Sequence, residues 1–387
     1  MTDRLRPPSA PAVWPVMVTA GVYLAFALWY LSTAQWNFSW FVHLPVEHPI
    51  TRHFGGAAAG LWVANGGYDG IAYYATAREL FHPAAIAEII DYPILRYRRI
   101  FYPLLVRLLS LGHEPLIAPM MLLVNLAATM VGVYLLQQLT APHGLHPAWA
   151  LLYSLHPGVL LSFLYDLPTA VAVFGVLWSV RWWQRGRWVA AGLSLCAAML
   201  TWEVLALPVA VGWGWYAVLK MARGAKGWRA CLGVPMLAAG LAVAWEIVLK
   251  FLFPADMSSR VVGNLGFPLL GWQRAFWHFA AAPQSIPVIF LLLLLGLTAA
   301  AAALAAWRYF KSADLLTTVG FAQALLLAHL TAQNLSWPME LTRKTLGLWL
   351  CTYLGFARRR DRASQIILVG TLALTALLPW LLPRAGS

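Results

Sequence analysis

Acidic residues are scarce in this 387-residue chain. It has 14 Asp and Glu, and charged residues of both signs make up only 11% of it. A soluble globular domain carries roughly 25% charged residues. Hydrophobic residues account for 61%, more than polar groups could cover in water, which excludes a set of soluble domains. Cysteine is scarce too. Cys196, Cys231 and Cys351 lie inside apolar runs with no Cys-x-x-Cys pair, so neither a disulfide framework nor a cysteine zinc site is expected. Gly-x-Ser-x-Gly and His-Glu-x-x-His are both missing, against a lipase or zinc-protease reading. A divalent metal at Asp69 is the alternative, but there is no Asp-x-Asp pair, and no metal or other cofactor is favoured.

Long apolar runs are what the chain has in quantity. A bilayer core takes about 20 apolar residues as a helix. Runs near 12–34, 115–139, 148–165, 167–183, 188–205, 206–219, 230–252, 286–306, 313–335, 339–357 and 364–383 predict an all-α polytopic membrane protein of about eleven transmembrane helices. The first run is too long for a signal-peptide core and lacks a clear small-residue cleavage site, so it reads as an anchor. Residues 1–387 form one membrane domain in this reading, with loops of any size only at 35–114 and 253–285 and no separate soluble domain.

Basic residues assign the sides. With the N-terminus and its Arg4 and Arg6 in the cytoplasm, the clusters Arg181/Arg185/Arg187, Lys220/Arg223/Lys226/Arg229, Arg308/Lys311 and Arg358/Arg359/Arg360/Arg362 share that side. It holds fifteen bases and three acids (Asp3, Asp314 and Asp361), against twelve bases and eleven acids outside. The net charge of +13 is therefore a topology signal, and short clusters flanking spans do not suit nucleic acid. Both large loops face outward. So do Asp166, Glu203 and Glu340, each at or near the outer end of a span. Ionisable groups in membrane are costly unless they face a cavity or a partner, which leaves a polar outer site or a helix-packing role for each.

The first outer loop is the richest segment. Asn65-Gly66-Gly67-Tyr68-Asp69-Gly70 is a turn by composition. Residues 71–80 follow as a short interfacial helix carrying Tyr73 and Tyr74. Asp69 sits where an N-cap would sit, and a carboxylate held there also suits a general base. Arg96, Arg98, Arg99 and Arg107 crowd the outer face against the positive-inside bias and call for an anionic partner. Arginine forks onto phosphate, either lipid headgroups or a phosphate-bearing lipid substrate. Arg343 and Lys344 open a later span and lie three and four residues after Glu340, so pairing with it competes with binding a ligand. Glu246 and Lys250, four apart, read as a structural pair.

Gly-Tyr-Asp-Gly followed by paired tyrosines, then Tyr97-Arg98-Arg99-Ile100-Phe101-Tyr102-Pro103-Leu104, resembles a bacterial family of multi-spanning proteins assigned to cell-surface glycopolymer formation. The segments 156–166 and 200–203 are similar to that family as well, so the likeness covers about residues 60–210. More widely it resembles integral-membrane glycosyltransferases of the GT-C type. The resemblance implies a polyprenyl-phosphate sugar donor, a glycan or lipid acceptor and membrane lipids as partners. It also implies a bacterial inner membrane with the site facing the periplasm. By position Asp69 matches the essential carboxylate of the first outer loop. Arg96, Arg98, Arg99 and Arg343 are then expected on the donor phosphate, with Tyr68, Tyr73, Tyr74, Asp166, Glu203 and Glu340 lining the site. Two positions depart from the pattern: Trp202 stands where an arginine is expected before Glu203, and Leu167-Pro168-Thr169 lacks a second acid after Asp166. A transporter or flippase of a lipid-linked saccharide is the alternative, although the matched internal repeats common in such proteins are not found.

Overall fold

The computed structural model describes residues 11–61, 63–64, 68–253, 265–280, 286–335 and 337–378. Arg4 and Arg6, the turn residues Asn65–Gly67, residues 254–264 and 281–285 of the second loop and the end of the last apolar run lie outside the described residues. Helix dominates, as it must where lipid offers the backbone no hydrogen bonds. The principal helices are α1 (Trp14–Thr33), α2 (Gly70–Arg78), α3 (Pro93–Arg98), α4 (Phe101–Leu109), α5 (Ile117–Thr140), α6 (Pro157–Leu164), α7 (Thr169–Gln184) and α8 (Trp188–Met199). They continue with α9 (Glu203–Ala222), α10 (Trp228–Leu252), α11 (Leu270–Ala280), α12 (Ile286–Lys311), α13 (Leu315–Ala328), α14 (Pro338–Lys344), α15 (Leu346–Arg359) and α16 (Arg362–Thr375). Among the described residues the one strand pair is parallel and short, Leu44–Pro45 with Val63–Ala64.

The chain is an all-α membrane protein. Among the described residues five helices are long and apolar enough to cross a membrane, and the pair Pro147–Ser154 and α6, bent by 49°, makes a sixth if taken as one span. Each expected apolar run contains helix, but several are shorter than a full crossing: α8 has 12 residues, α13 and α16 have 14 each. Composition marks what lipid or core accepts, whereas packing decides where a helix stops. The boundary expected near residue 205 shows this. The backbone breaks at Leu200–Trp202, where the Leu200 carbonyl accepts a hydrogen bond from Phe101 N–H and Trp202 is extended. Glu203 thus opens α9 instead of closing the helix before it.

The first outer loop differs from expectation in a second way. Every residue of α2 from Gly70 to Ala77 is buried, so α2 is docked within the protein and does not lie on the membrane surface. Its side chains are small, aliphatic or aromatic up to Arg78, and they pack inward. Ile71 and Tyr73 share an apolar cluster with Tyr102 and Val106 of α4 and Met121 of α5. In the bundle, α7 packs on α5 and α8, α10 on α8 and α9, and α13 on α9, α12 and α15.

One glycine fixes the placement of α14. A Cβ on Gly158 of α6 would lie 2.5 Å from the Thr342 carbonyl oxygen, so the two backbones touch. Gly158→Ala is expected to push α14 away and cost about 1–3 kcal/mol. A lower thermal unfolding midpoint of the detergent-solubilised protein would show it; an unchanged midpoint would mean that α14 yields freely.

Candidate active site

The charged groups sort into two sets at opposite ends of α13 and α15. At one end Arg358 meets Asp314 at 3.5 Å, Arg308 pairs with Asp361 and Arg360 Nη2 donates to the His143 carbonyl at 3.0 Å. At the other end the residues of the first outer loop meet α9 and α14. Each ion pair among the described residues joins members of one expected side only.

Asp69 is the centre of the second set. Its backbone is already helical and its side chain makes no capping hydrogen bond, so it does not cap α2. The carboxylate instead meets Arg96 Nη1 at 2.9 Å and lies 4.0 Å from Arg343 Nη1. Burial by itself would raise its pKa; Arg96, Arg343 and Arg99 together outweigh that and hold it at about 2. Arg96 turns its other edge to Asp91, with Nε donating at 3.0 Å and Nη2 at 2.8 Å. Arg99 forks onto Glu203 at 2.9 and 2.7 Å and touches the Tyr73 hydroxyl at 3.3 Å.

Arg343 is the most enclosed of these bases. Its Nη1 donates to Glu340 at 3.2 Å and to the Tyr68 hydroxyl at 3.3 Å, and its Nε donates to Thr169 Oγ1 at 3.1 Å. The guanidinium carbon lies 4.9 Å from the Trp202 ring centroid, a cation–π seat. Trp202 and Thr169 thus hold an arginine delivered by α14. Lys344 Nζ completes the set at 2.6 Å from Glu340.

These groups surround a cavity of about 520 Å³. Its charged and polar lining is Tyr68, Asp69, Asp91, Arg96, Arg99, Glu203, Glu340, Arg343 and Lys344, and Leu207, Pro208, Leu326 and Leu330 supply apolar lining. Four acids meet four bases, so the set is neutral. The bases lie deeper: their side chains are 1–9% exposed, against 22–51% for the four acids. The carboxylates therefore face the cavity and can accept from hydroxyl groups. Among the described residues no three His, Cys, Asp or Glu side chains gather as a metal site.

Some expected residues fall elsewhere. Arg98 turns to Glu246 of α10, with Nη2 donating at 3.1 Å, and does not line the cavity; Glu246 therefore takes Arg98 where Lys250 was expected. Arg98→Ala is accordingly expected to leave donor affinity within about twofold, as for exposed ion pairs; a large loss of donor binding would return Arg98 to the site. Asp166 is fully buried among Tyr102 Oη at 3.0 Å and Asn125 Nδ2 at 2.9 Å, a packing role away from the cavity. Tyr73 stands behind Arg99, and Tyr74 accepts from Arg78 at 3.4 Å outside the lining. Asp91, Trp202, Asn334 and Trp337 line the cavity without having been expected there. Asp91 left a signal, an acid five residues ahead of the arginine run.

No protein-family model, curated protein or solved structure matches the chain.

Proposed function

We propose that this chain is a membrane glycosyltransferase of the GT-C type, moving a sugar from a polyprenyl-phosphate carrier to a cell-surface glycan or lipid acceptor with inversion. One observation carries the proposal: Asp69 lines a cavity built from both charged and apolar side chains. The apolar lining continues along α9 as the exposed stripe Leu207, Val211, Trp215 and Val218, spaced to lie on one helix face. An isoprenoid tail fits along that stripe, which brings the donor phosphate to the charged lining. The partition of ion pairs between two ends supports a site on the non-cytoplasmic face, the periplasmic face of a bacterial inner membrane by the family resemblance.

The acceptor hydroxyl gives its proton to Asp69 as its oxygen attacks the anomeric carbon. The carbon–oxygen bond to phosphate breaks on the opposite face and its electron pair leaves with the phosphate. Arg96 and Arg343 lie where that growing negative charge is stabilised. Glu203 and Glu340, held by Arg99 and Lys344, accept from sugar hydroxyls. The test is a transfer assay in lipid nanodiscs with polyprenyl-phosphate sugars labelled in the sugar. Label on the acceptor with release of polyprenyl phosphate is expected. Label that stays on the carrier while crossing a vesicle bilayer would replace this function with a flippase.

A further inference from the structure

We infer that Asp91 is a built-in stand-in for the donor's phosphate: it occupies the edge of Arg96 that the phosphate takes on binding. The inference rests on the proposed function and adds how Arg96 is held for its ligand.

The geometry is that of a bound oxyanion. Asp91 takes both Nε and Nη2 of Arg96, at 3.0 and 2.8 Å, the two parallel bonds by which a guanidinium holds phosphate. Arg96 is enclosed, its side chain 9% exposed, whereas that of Asp91 is 51% exposed. A ligand in the cavity reaches that edge only where Asp91 now sits. The other acids are less free to leave. Glu203 is in the first turn of α9 and is forked by Arg99. Glu340 is shared by Arg343, Lys344 and the Tyr68 hydroxyl. Asp69 stays on Nη1 of Arg96 as the proposed base. Asp91 precedes α3 in no regular element, and Arg96 is its one ion-pair partner among the described residues.

Charge favours the same exchange. The eight groups are neutral together, and a phosphate added to them would leave an unbalanced buried negative charge. Swinging Asp91 into the aqueous mouth restores the balance and leaves Arg96 with two anionic partners throughout. The carboxylate then competes with every anion that enters, and a donor that also gains the apolar lining displaces it most readily.

The experiment measures farnesyl phosphate binding to the full chain in phosphatidylcholine nanodiscs, for the native protein, Asp91→Asn and Glu47→Gln. Glu47→Gln makes the same charge change at an exposed pair with Arg52. Asp91→Asn is expected to bind about tenfold tighter, the low end for a close charge pair, with Glu47→Gln unchanged. Inorganic phosphate, which cannot use the apolar lining, is expected to bind far more weakly than farnesyl phosphate; equal affinity would overturn the lipid-linked form of the ligand. Unchanged or weaker binding by Asp91→Asn, or an equal gain in Glu47→Gln, overturns the stand-in role and leaves the glycosyltransferase standing. Absence of farnesyl phosphate binding in every protein overturns both.

Discussion

Asp69→Asn should abolish sugar transfer while leaving a folded protein, with kcat reduced by about 10²–10⁴-fold, the contribution of a positioned general base. The substitution is nearly isosteric, and Asn still offers Arg96 an oxygen at the 2.9 Å contact. Arg96 keeps Asp91, and Arg343 keeps Glu340, so neither arginine is stranded. What disappears is the charge and the proton acceptor. Stability at neutral pH should fall modestly. The folded-state pKa of about 2 lies below the usual 3.8, so the ionised carboxylate favours the folded state above about pH 4, and that contribution is lost as pH falls toward 2. The stability difference between native protein and Asp69→Asn should accordingly close on acidification. Initial rates of transfer decide the matter: full activity in a folded Asp69→Asn protein would remove Asp69 as the base.

Arg343→Ala should have the largest effect on the fold. The side chain is 1% exposed and gathers Glu340, Tyr68, Thr169, Trp202 and Asp69 around one cation. Removing one partner of a buried ionic network costs about 3–5 kcal/mol, because the other charges are left unpaired. Arg343→Lys separates fold from chemistry. It keeps the charge and loses the planar fork and the stacking on Trp202, so it should recover most of the thermal midpoint but not the transfer rate. Equal midpoints for native protein and Arg343→Ala would show that α14 is held by Gly158 packing alone.

Seven residues of the cavity wall could be read before any coordinates: Tyr68, Asp69, Arg96, Arg99, Glu203, Glu340 and Arg343. The reason is cost. Charge near the ends of apolar runs is expensive unless it meets other charge, so its presence on one side of the membrane predicts a meeting place. Glu340 followed by Arg343 and Lys344 carried its local pairing in its spacing. The assignment of Arg99 to the cavity and Arg98 to α10 was not legible, because α3 ends between them and nothing in the residue types says which one faces inward. Asp166 obeys the same cost rule as Glu203, yet it is satisfied by Tyr102 and Asn125 inside the bundle. Composition cannot tell a polar lining from a polar pin. Span lengths were hidden for a related reason, since Leu200–Trp202 break a helix through a hydrogen bond from Phe101, a partner about a hundred positions away that no window of apolarity contains.

The contact between Arg343 and Tyr68 joins residues 275 positions apart, and this sets an order of assembly. A ribosome adding about 5–20 residues per second makes Arg343 some tens of seconds after Tyr68. Until then Tyr68 and Glu340 cannot meet, Thr169 and Trp202 have no guanidinium to seat, and Asp69 has Arg96 alone of its two closest cations. Chains released before α14 is inserted carry a finished first loop around an unfinished site. Such fragments should be protease-sensitive at that loop while their earlier spans resist digestion, because α14 closes the cavity only once it has been made.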